Sequence, residues 1–406
     1  MIDKFKWDIY SDQPHIIKNK KLKKSIYKKA ALDQIITLGT TLLLSPFIAL
    51  SYFLFQSKKT IDTKNFFAMS VNLDKEPEAT LALIEELGIE TLLIRLPLWE
   101  MDRLEEYVNF VAQFKNKDIL INILQDRENI KNLALFEKNI EKIFKAFPDV
   151  KQFQIGNAIN RKKWAFFTIK EYLRFYQVAQ KVRDKHYHDK KLLGSSVIDF
   201  EYHYTIRSLL NFFSLKYDIF SSLLYVDRRG SPEAKQMGFD LKKKINLLNA
   251  IMILSPKTKN RLFITETNWP ISSTAPYAPT SEKECVGPDE YALYMVQYYL
   301  IALSTKQVER VYWHQLIAPG YGLVDNRDGL KNYPAFAAFK TMVSLLKECQ
   351  LIEFNFTQEV KMMRFKSEKE TIMIYWSNDL LEIKKGLSLY GEAFTEGKLC
   401  YVIRSH

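Results

Sequence analysis

An apolar run that stops on a carboxylate and is followed at once by an indole is the stretch of this chain best suited to chemistry: Phe263-Ile264-Thr265-Glu266-Thr267-Asn268-Trp269-Pro270. A short buried strand ending on Glu266 is expected, with Pro270 stopping it from running on. In a parallel barrel the carboxyl ends of the strands open on a common mouth, where the rigid sheet holds a side chain still. Trp269 could offer a flat apolar face to a sugar ring. The plainer reading of the same residues is an ordinary strand with a solvated glutamate at its end.

Other expected strand ends add to the mouth. They contribute Asn72, Arg95, Gln125, Asp126, Arg127, Asn157, Asp199, Glu201, Tyr225, Asp227, Trp313, His314 and Gln315. Each alone could be a solvated loop residue. Carboxylates, amides, a basic residue and indoles converging on one cleft suit a polyhydroxylated ligand such as a sugar. Basic residues lie nearby, at Arg161, Lys162 and Lys163 with Trp164, at Arg228 and Arg229, and at Arg327 and Lys331. If these face the same mouth, an anionic ligand is favoured.

These residues need a scaffold, and the hydrophobic pattern supplies one. Residues 65–73 read as a strand and 76–87 as an amphipathic helix closed by Gly88. The same unit recurs with strands at 91–96, 118–124, 150–156, 192–198, 218–226, the stretch carrying Glu266, and 310–316. Eight strand–helix pairs in this length predict a closed (β/α)8 TIM barrel over 65–348. An open doubly wound sheet is the rival, and no glycine-rich first turn supports it. From residue 349 to 406 the period becomes alternating, with strands expected at 352–356, 360–365, 371–376 and 399–403. A small C-terminal β-domain is therefore expected.

The 406 residues carry a net charge of +12. Much of the excess sits in a basic segment, residues 1–34, among them Lys18, Lys20, Lys21, Lys23, Lys24, Lys28 and Lys29. The remainder is only mildly basic, so nucleic acid is not an expected partner. Residues 35–55 contain no charged side chain and, at helical rise, reach about 30 Å, enough to cross a bilayer. No small-x-small cleavage site follows, so an uncleaved transmembrane anchor is expected, with Pro46 tolerated inside it. The lysine-rich flank then belongs in the cytoplasm and the barrel on the outer or periplasmic side of the inner or plasma membrane. A buried core helix or an amphipathic surface helix is the alternative.

Cys285, Cys349 and Cys400 have no metal-ligand spacing, and neither a metal nor another cofactor is expected. Cys349 with Cys400 is the pair to consider for a bridge in an exported domain.

Three motifs together carry a family resemblance: Gln154-Ile155-Gly156-Asn157, Ile264 to Pro270, and Val311-Tyr312-Trp313-His314-Gln315-Leu316. They resemble the retaining glycoside hydrolases of the large TIM-barrel clan whose catalytic glutamates end strands four and seven. Tyr321-Gly322-Leu323-Val324-Asp325 and Tyr333-Pro334-Ala335-Phe336 are similar to the last loop and helix of such enzymes. The resemblance implies that Glu266 is the nucleophile, that Tyr225 donates a hydrogen bond to it, that Arg95 depresses its pKa, and that Trp313 belongs to the sugar platform. Asn157, Asp126, Trp269 and His314, from the strand ends at the same mouth, complete the expected binding set.

One departure bears directly on the chemistry. The family has an Asn-Glu pair at the end of strand four, the glutamate being the acid/base, whereas Asn157 here is followed by Ala158. General acid help is worth about 10²- to 10⁴-fold, so ordinary glycosides should turn over poorly without it. Glu201, Asp199 or Asp126 could have taken the role, the site could bind without turnover, or Ala158 is not the native residue. The sequence thus predicts a membrane-anchored, glycoside hydrolase-like protein acting on a cell-envelope glycan, with catalytically silent carbohydrate binding or envelope assembly as the alternative.

Overall fold

The computed structural model describes residues 6–55, 59–227, 230–357, 360–377, 392–396 and 399–405. Eight parallel strands close into a barrel: β1 (Phe67–Val71), β2 (Thr91–Pro97), β3 (Asp118–Leu124), β4 (Gln152–Ile155), β5 (Lys191–Ile198), β6 (Ile219–Leu223), β7 (Leu262–Thr267) and β8 (Val308–Trp313). Closure is made by β8 against β1, with Val311 beside Phe67 and Trp313 beside Met69. Strand–helix alternation follows the expected order, because each short apolar run, buried on both faces as in a parallel sheet, is succeeded by one of period 3.6.

Local signals end the helices where the barrel needs them to end. Pro77–Leu87 begins with proline and stops at Gly88, whose φ of 67° is a left-handed conformation that glycine adopts without strain. Ile169–His186 is capped by Thr168, whose hydroxyl accepts from the Glu171 amide at 3.0 Å.

The core has two layers. Inside the barrel, Ala68, Leu93, Leu120, Leu193, Ile219, Phe263 and Tyr312 form one buried cluster, the interior filling that makes such a barrel a packed core. Outside it, the opposite faces of the strands pack on the helices in a much larger cluster.

Behind the barrel lies an antiparallel five-stranded sheet of β9 (Gln350–Phe356), β10 (Val360–Lys366), β11 (Glu370–Ser377), β12 (Glu392–Glu396) and β13 (Leu399–Ser405), in the order β9-β10-β11-β13-β12. Four of these strands were expected, and β12 adds a fifth. The expected candidate bridge is not formed: Cys349 and Cys400 are both buried and no disulfide joins them.

The N-terminal part is more structured than a basic flank. A two-residue ribbon pairs Trp7–Asp8 with Gln13–Pro14, and one helix then runs from Lys20 to Leu54. Among the described residues it is the one helix long and apolar enough to cross a membrane. One side of it packs on the barrel helices Tyr202–Leu209 and Leu241–Ile253. Polar contacts pin that side: the Ser51 hydroxyl donates to the Ala250 carbonyl at 3.0 Å, the Tyr204 hydroxyl to Gln34 at 3.1 Å, and the Ile169 amide to Asp33 at 2.7 Å. The other side exposes Leu32, Leu38, Leu42, Leu43, Phe47 and Phe53.

Tight packing around β5 provides a test of the barrel wall. A Cβ on Gly194 would fall 2.6 Å from the Tyr217 ring and against the Tyr172 hydroxyl, and both tyrosines are buried. Overpacking at such a site costs about 1–3 kcal/mol. Gly194→Ala should therefore shift the urea midpoint of unfolding downward by that amount of stability, and an unchanged midpoint would mean the wall is looser than described.

Candidate active site

Glu266 reaches the barrel mouth because β7 is bulged. Phe263 belongs to the inner cluster and Ile264 to the outer one, so uninterrupted alternation would turn Glu266 outward with Ile264. Against β8, however, Ile264 lies beside Val311 and Thr267 beside Trp313, three residue steps opposing two. The extra residue inverts the alternation, and Glu266 faces inward.

There its carboxylate is 6% exposed and is held from three sides. Arg95 Nη2 lies 2.5 Å from Oε2, Asn157 Nδ2 donates to Oε2 at 3.2 Å, and the Tyr225 hydroxyl donates to Oε1 at 2.8 Å. Burial alone would push this carboxyl up. The Arg95 guanidinium, His314 and the hydrogen bonds from Tyr225 and Asn157 outweigh it and hold the group down at about 2. Glu266 is thus an anion in a nearly water-free place, with its charge directed at a cavity.

The partners are themselves fixed. Asn157 is clamped by Gln125, which accepts from its amide at 2.8 Å and donates to its carbonyl at 2.7 Å. Asn122 donates to Asn157 Oδ1 at 3.1 Å, leaving Nδ2 for Glu266. Arg95 sits 5.8 Å from the centre of the Trp164 ring, a cation–π contact that covers the guanidinium.

A cavity of about 180 Å³ opens above Glu266, and Arg95, Asp199, Tyr225 and His314 help line it. Asp199 and Glu201 both pair with Arg161, Glu201 at 2.6 Å. Glu201 also accepts from Asn160 at 2.7 Å and lines a neighbouring cavity beside Gln34 and His203 instead.

Several expected residues take other places. Asp126 caps the short helix Arg127–Lys131, accepting from the Asn129 amide at 2.7 Å, and does not line the cavity. Arg127 pairs with Glu171 at 2.6 Å. Trp269 and Trp313 are wholly buried and stacked 6.0 Å apart, so neither presents an open ring face. Their N–H groups are taken by the Gly230 carbonyl and the Tyr291 hydroxyl.

The basic residues divide likewise. Arg161 and Lys163 line the cavity, but Arg161 is balanced by its two carboxylates and Lys163 donates to Gln13 at 2.5 Å. Arg327 is paired with Asp325 at 2.7 Å. Arg228 and Arg229 lie outside the described residues.

Sequence reasoning missed the N-terminal ribbon, which puts Ser11, Asp12 and Gln13 into the cavity lining. The signal was present as an aromatic-bearing stretch with turn residues, Trp7-Asp8-Ile9-Tyr10-Ser11-Asp12-Gln13-Pro14, hidden among lysines.

The fold is similar to several solved glycosidases. One is a family 39 glycoside hydrolase from the gut symbiont Bacteroides cellulosilyticus, with 16% identity and a TM-score of 0.58 over 79% of this chain and 72% of that one. A family 30 endoxylanase from Clostridium papyrosolvens has 10% identity and a TM-score of 0.56 over 79% of this chain and 82% of that one. A family 39 beta-xylosidase from Caulobacter crescentus has 10% identity and a TM-score of 0.55 over 79% of each chain. Identities this low speak for shared architecture. No protein-family model and no curated protein matches the sequence.

The ion pair generates two expectations. Removing one partner of a buried pair leaves an uncompensated charge and costs about 3–5 kcal/mol, so Arg95→Met should destabilise by that much and the double variant Arg95→Met/Glu266→Gln should recover most of it. Additive losses in that cycle would show the two groups to be independent. Glu266 also shapes the acid limb: its folded pKa of about 2 lies below its ordinary 4.5, so its contribution is complete above the ordinary value and lost as pH falls toward about 2. Glu266→Gln should flatten the fall in unfolding free energy across that window, measured by denaturant titration at successive pH values.

Proposed function

We propose that this chain is a membrane-anchored, glycoside hydrolase-like protein that acts on a cell-envelope glycan, with Glu266 as nucleophile. The observation that carries the reading is an ionised glutamate fixed by Arg95, Asn157 and Tyr225 on the floor of a cavity, in a barrel of glycosidase architecture. Its carboxylate oxygen would attack the anomeric carbon as the bond to the leaving oxygen breaks, giving a glycosyl ester that water then hydrolyses.

The leaving group is where the chemistry is restricted. Ala158 has no proton to give, and its side chain is buried with Trp164 and Tyr225. Of Glu201, Asp199 and Asp126, Asp199 is the carboxylate that lines the cavity, and it is paired with Arg161. The reading therefore assigns fast turnover only to substrates whose leaving oxygen departs without protonation. Ala158 equally favours the second reading, a silent glycan-binding or envelope-assembly protein.

For the anchor, the reading takes residues 1–34 as the cytoplasmic segment, 35–55 as the single span, 65–348 as the barrel on the outer side and 349–406 as its companion domain. The exposed row from Leu32 to Phe53 supports burial in lipid. Spanning the bilayer would require the helix to leave Tyr202–Leu209 and Leu241–Ile253, and the ribbon that precedes it to leave the mouth.

A panel of dinitrophenyl glycosides, whose leaving group needs no acid, should be hydrolysed, with alkyl glycosides of the same sugar slower by about 10²- to 10⁴-fold. Glu266→Gln should abolish that turnover. Unchanged turnover in the variant would remove Glu266 from the mechanism, and glycan binding with no turnover of any aryl glycoside would decide for the binding protein.

A further inference from the structure

The cavity beside Glu266 also holds a carboxylate supplied by the chain's own N-terminal ribbon. Asp12 lies at the turn of that ribbon with φ of 46°, a left-handed conformation that aspartate tolerates better than most residues, and it is 7% exposed. Its Oδ2 accepts from the Tyr321 hydroxyl at 2.8 Å and from Gln315 Nε2 at 2.8 Å. Lys75 Nζ stands 3.4 Å from the same oxygen. Arg95 joins this group to Glu266: Nη1 donates to the Asp12 carbonyl at 3.1 Å while Nη2 holds the Glu266 carboxylate.

All three side chains that receive the Asp12 carboxylate belong to the barrel. Lys75 follows β1, and Gln315 and Tyr321 follow β8. A phenol, an amide and an ammonium aimed at one oxygen form a built acceptor site. A neutral hydroxyl would satisfy Tyr321 and Gln315 and leave the ammonium unbalanced, whereas a carboxylate satisfies all three. Further holds lie around it: Gln13 Nε2 donates to the Pro279 carbonyl at 3.2 Å, Lys163 donates to Gln13, Tyr10 meets the Tyr277 ring edge-on at 5.3 Å, and Trp7 packs against Trp99 and Trp164. The ribbon is thus seated by polar and aromatic contacts, and its charged group occupies the interior.

We propose that Lys75, Gln315 and Tyr321 form a subsite for the carboxylate of an acidic sugar, a uronic acid unit of the glycan, and that Asp12 is the internal occupant which that sugar displaces. This deepens the proposed function and rests on its claim that the cavity takes a glycan. The basic loop residues do not supply the selectivity, since Arg161 is spent on Asp199 and Glu201. Lys75 supplies it.

The test is binding to the full chain in detergent, by isothermal titration with galacturonate, glucuronate and mannuronate oligosaccharides, each against its own methyl ester. Asp12→Ala should bind at least one free-acid oligosaccharide about tenfold tighter than the unaltered chain does, with little change for the ester. Adding Lys75→Gln or Tyr321→Phe to Asp12→Ala should remove the preference for acid over ester, and thermal melts establish that each variant is folded. Lys75 is only partly buried, so its replacement keeps the test readable if Tyr321→Phe fails to fold. A preference that survives both replacements, or tight binding of esters with no acid preference, would overturn the subsite while leaving the glycan reading intact. Binding of neither form by any variant would overturn both.

Discussion

A carboxylate taken out of water stays charged only where charge and donors are brought to it, and the arrangement of this barrel follows from meeting that condition at Glu266. Desolvation opposes the anion and is the largest single influence on it; Arg95 is the largest influence in its favour. The four groups that lower the pKa come from the ends of β2, β4, β6 and β8, namely Arg95, Asn157, Tyr225 and His314. Alternate strands of a closed barrel contribute side chains to one layer. Glu266 on β7 is therefore surrounded by the even strands, and the closure of β8 on β1 is part of what keeps its charge.

The same mouth receives the N-terminal ribbon, and this ties the site to the helix behind it. The ribbon and the helix Lys20–Leu54 are separated by only a few residues, so where one goes the other must follow. In the seated arrangement the helix lies against the barrel wall with an apolar row exposed, a surface that water penalises at roughly 25 cal/mol per Å². A bilayer surface would relieve that penalty on the exposed side, while the opposite side stays committed to the barrel helices.

Much of the scaffold could be read from the residues because it rests on periodicity. A short apolar run followed by a segment of period 3.6 repeats eight times, and Glu266 ends an apolar run whatever happens around it. What could not be read depends on contacts between distant segments. The bulge in β7 is visible only against β8; without it the motif would turn its carboxylate toward the helices. Trp269 and Trp313 look like a sugar platform by residue type, yet they stack on each other inside the wall, because an indole serves a core as well as a binding face. Asp126 is a helix cap by position, an aspartate opening Arg127–Lys131, and that sign is legible in the sequence. Asp12 is not legible there, because its place depends on Lys75, Gln315 and Tyr321 from distant segments.

Ala158 lies in an aromatic part of the wall beside Asn157. Its φ of 45° is a left-handed conformation that any residue with a Cβ takes at a cost, and its methyl group is packed with Leu124, Trp164, Leu223 and Tyr225. That packing holds Trp164 over Arg95, so the space beside Asn157 is filled by aromatic cover for the cation that stabilises Glu266. Covering an ion pair from water strengthens it. The wall thereby favours the charge of the Glu266 carboxylate by covering the cation paired with it.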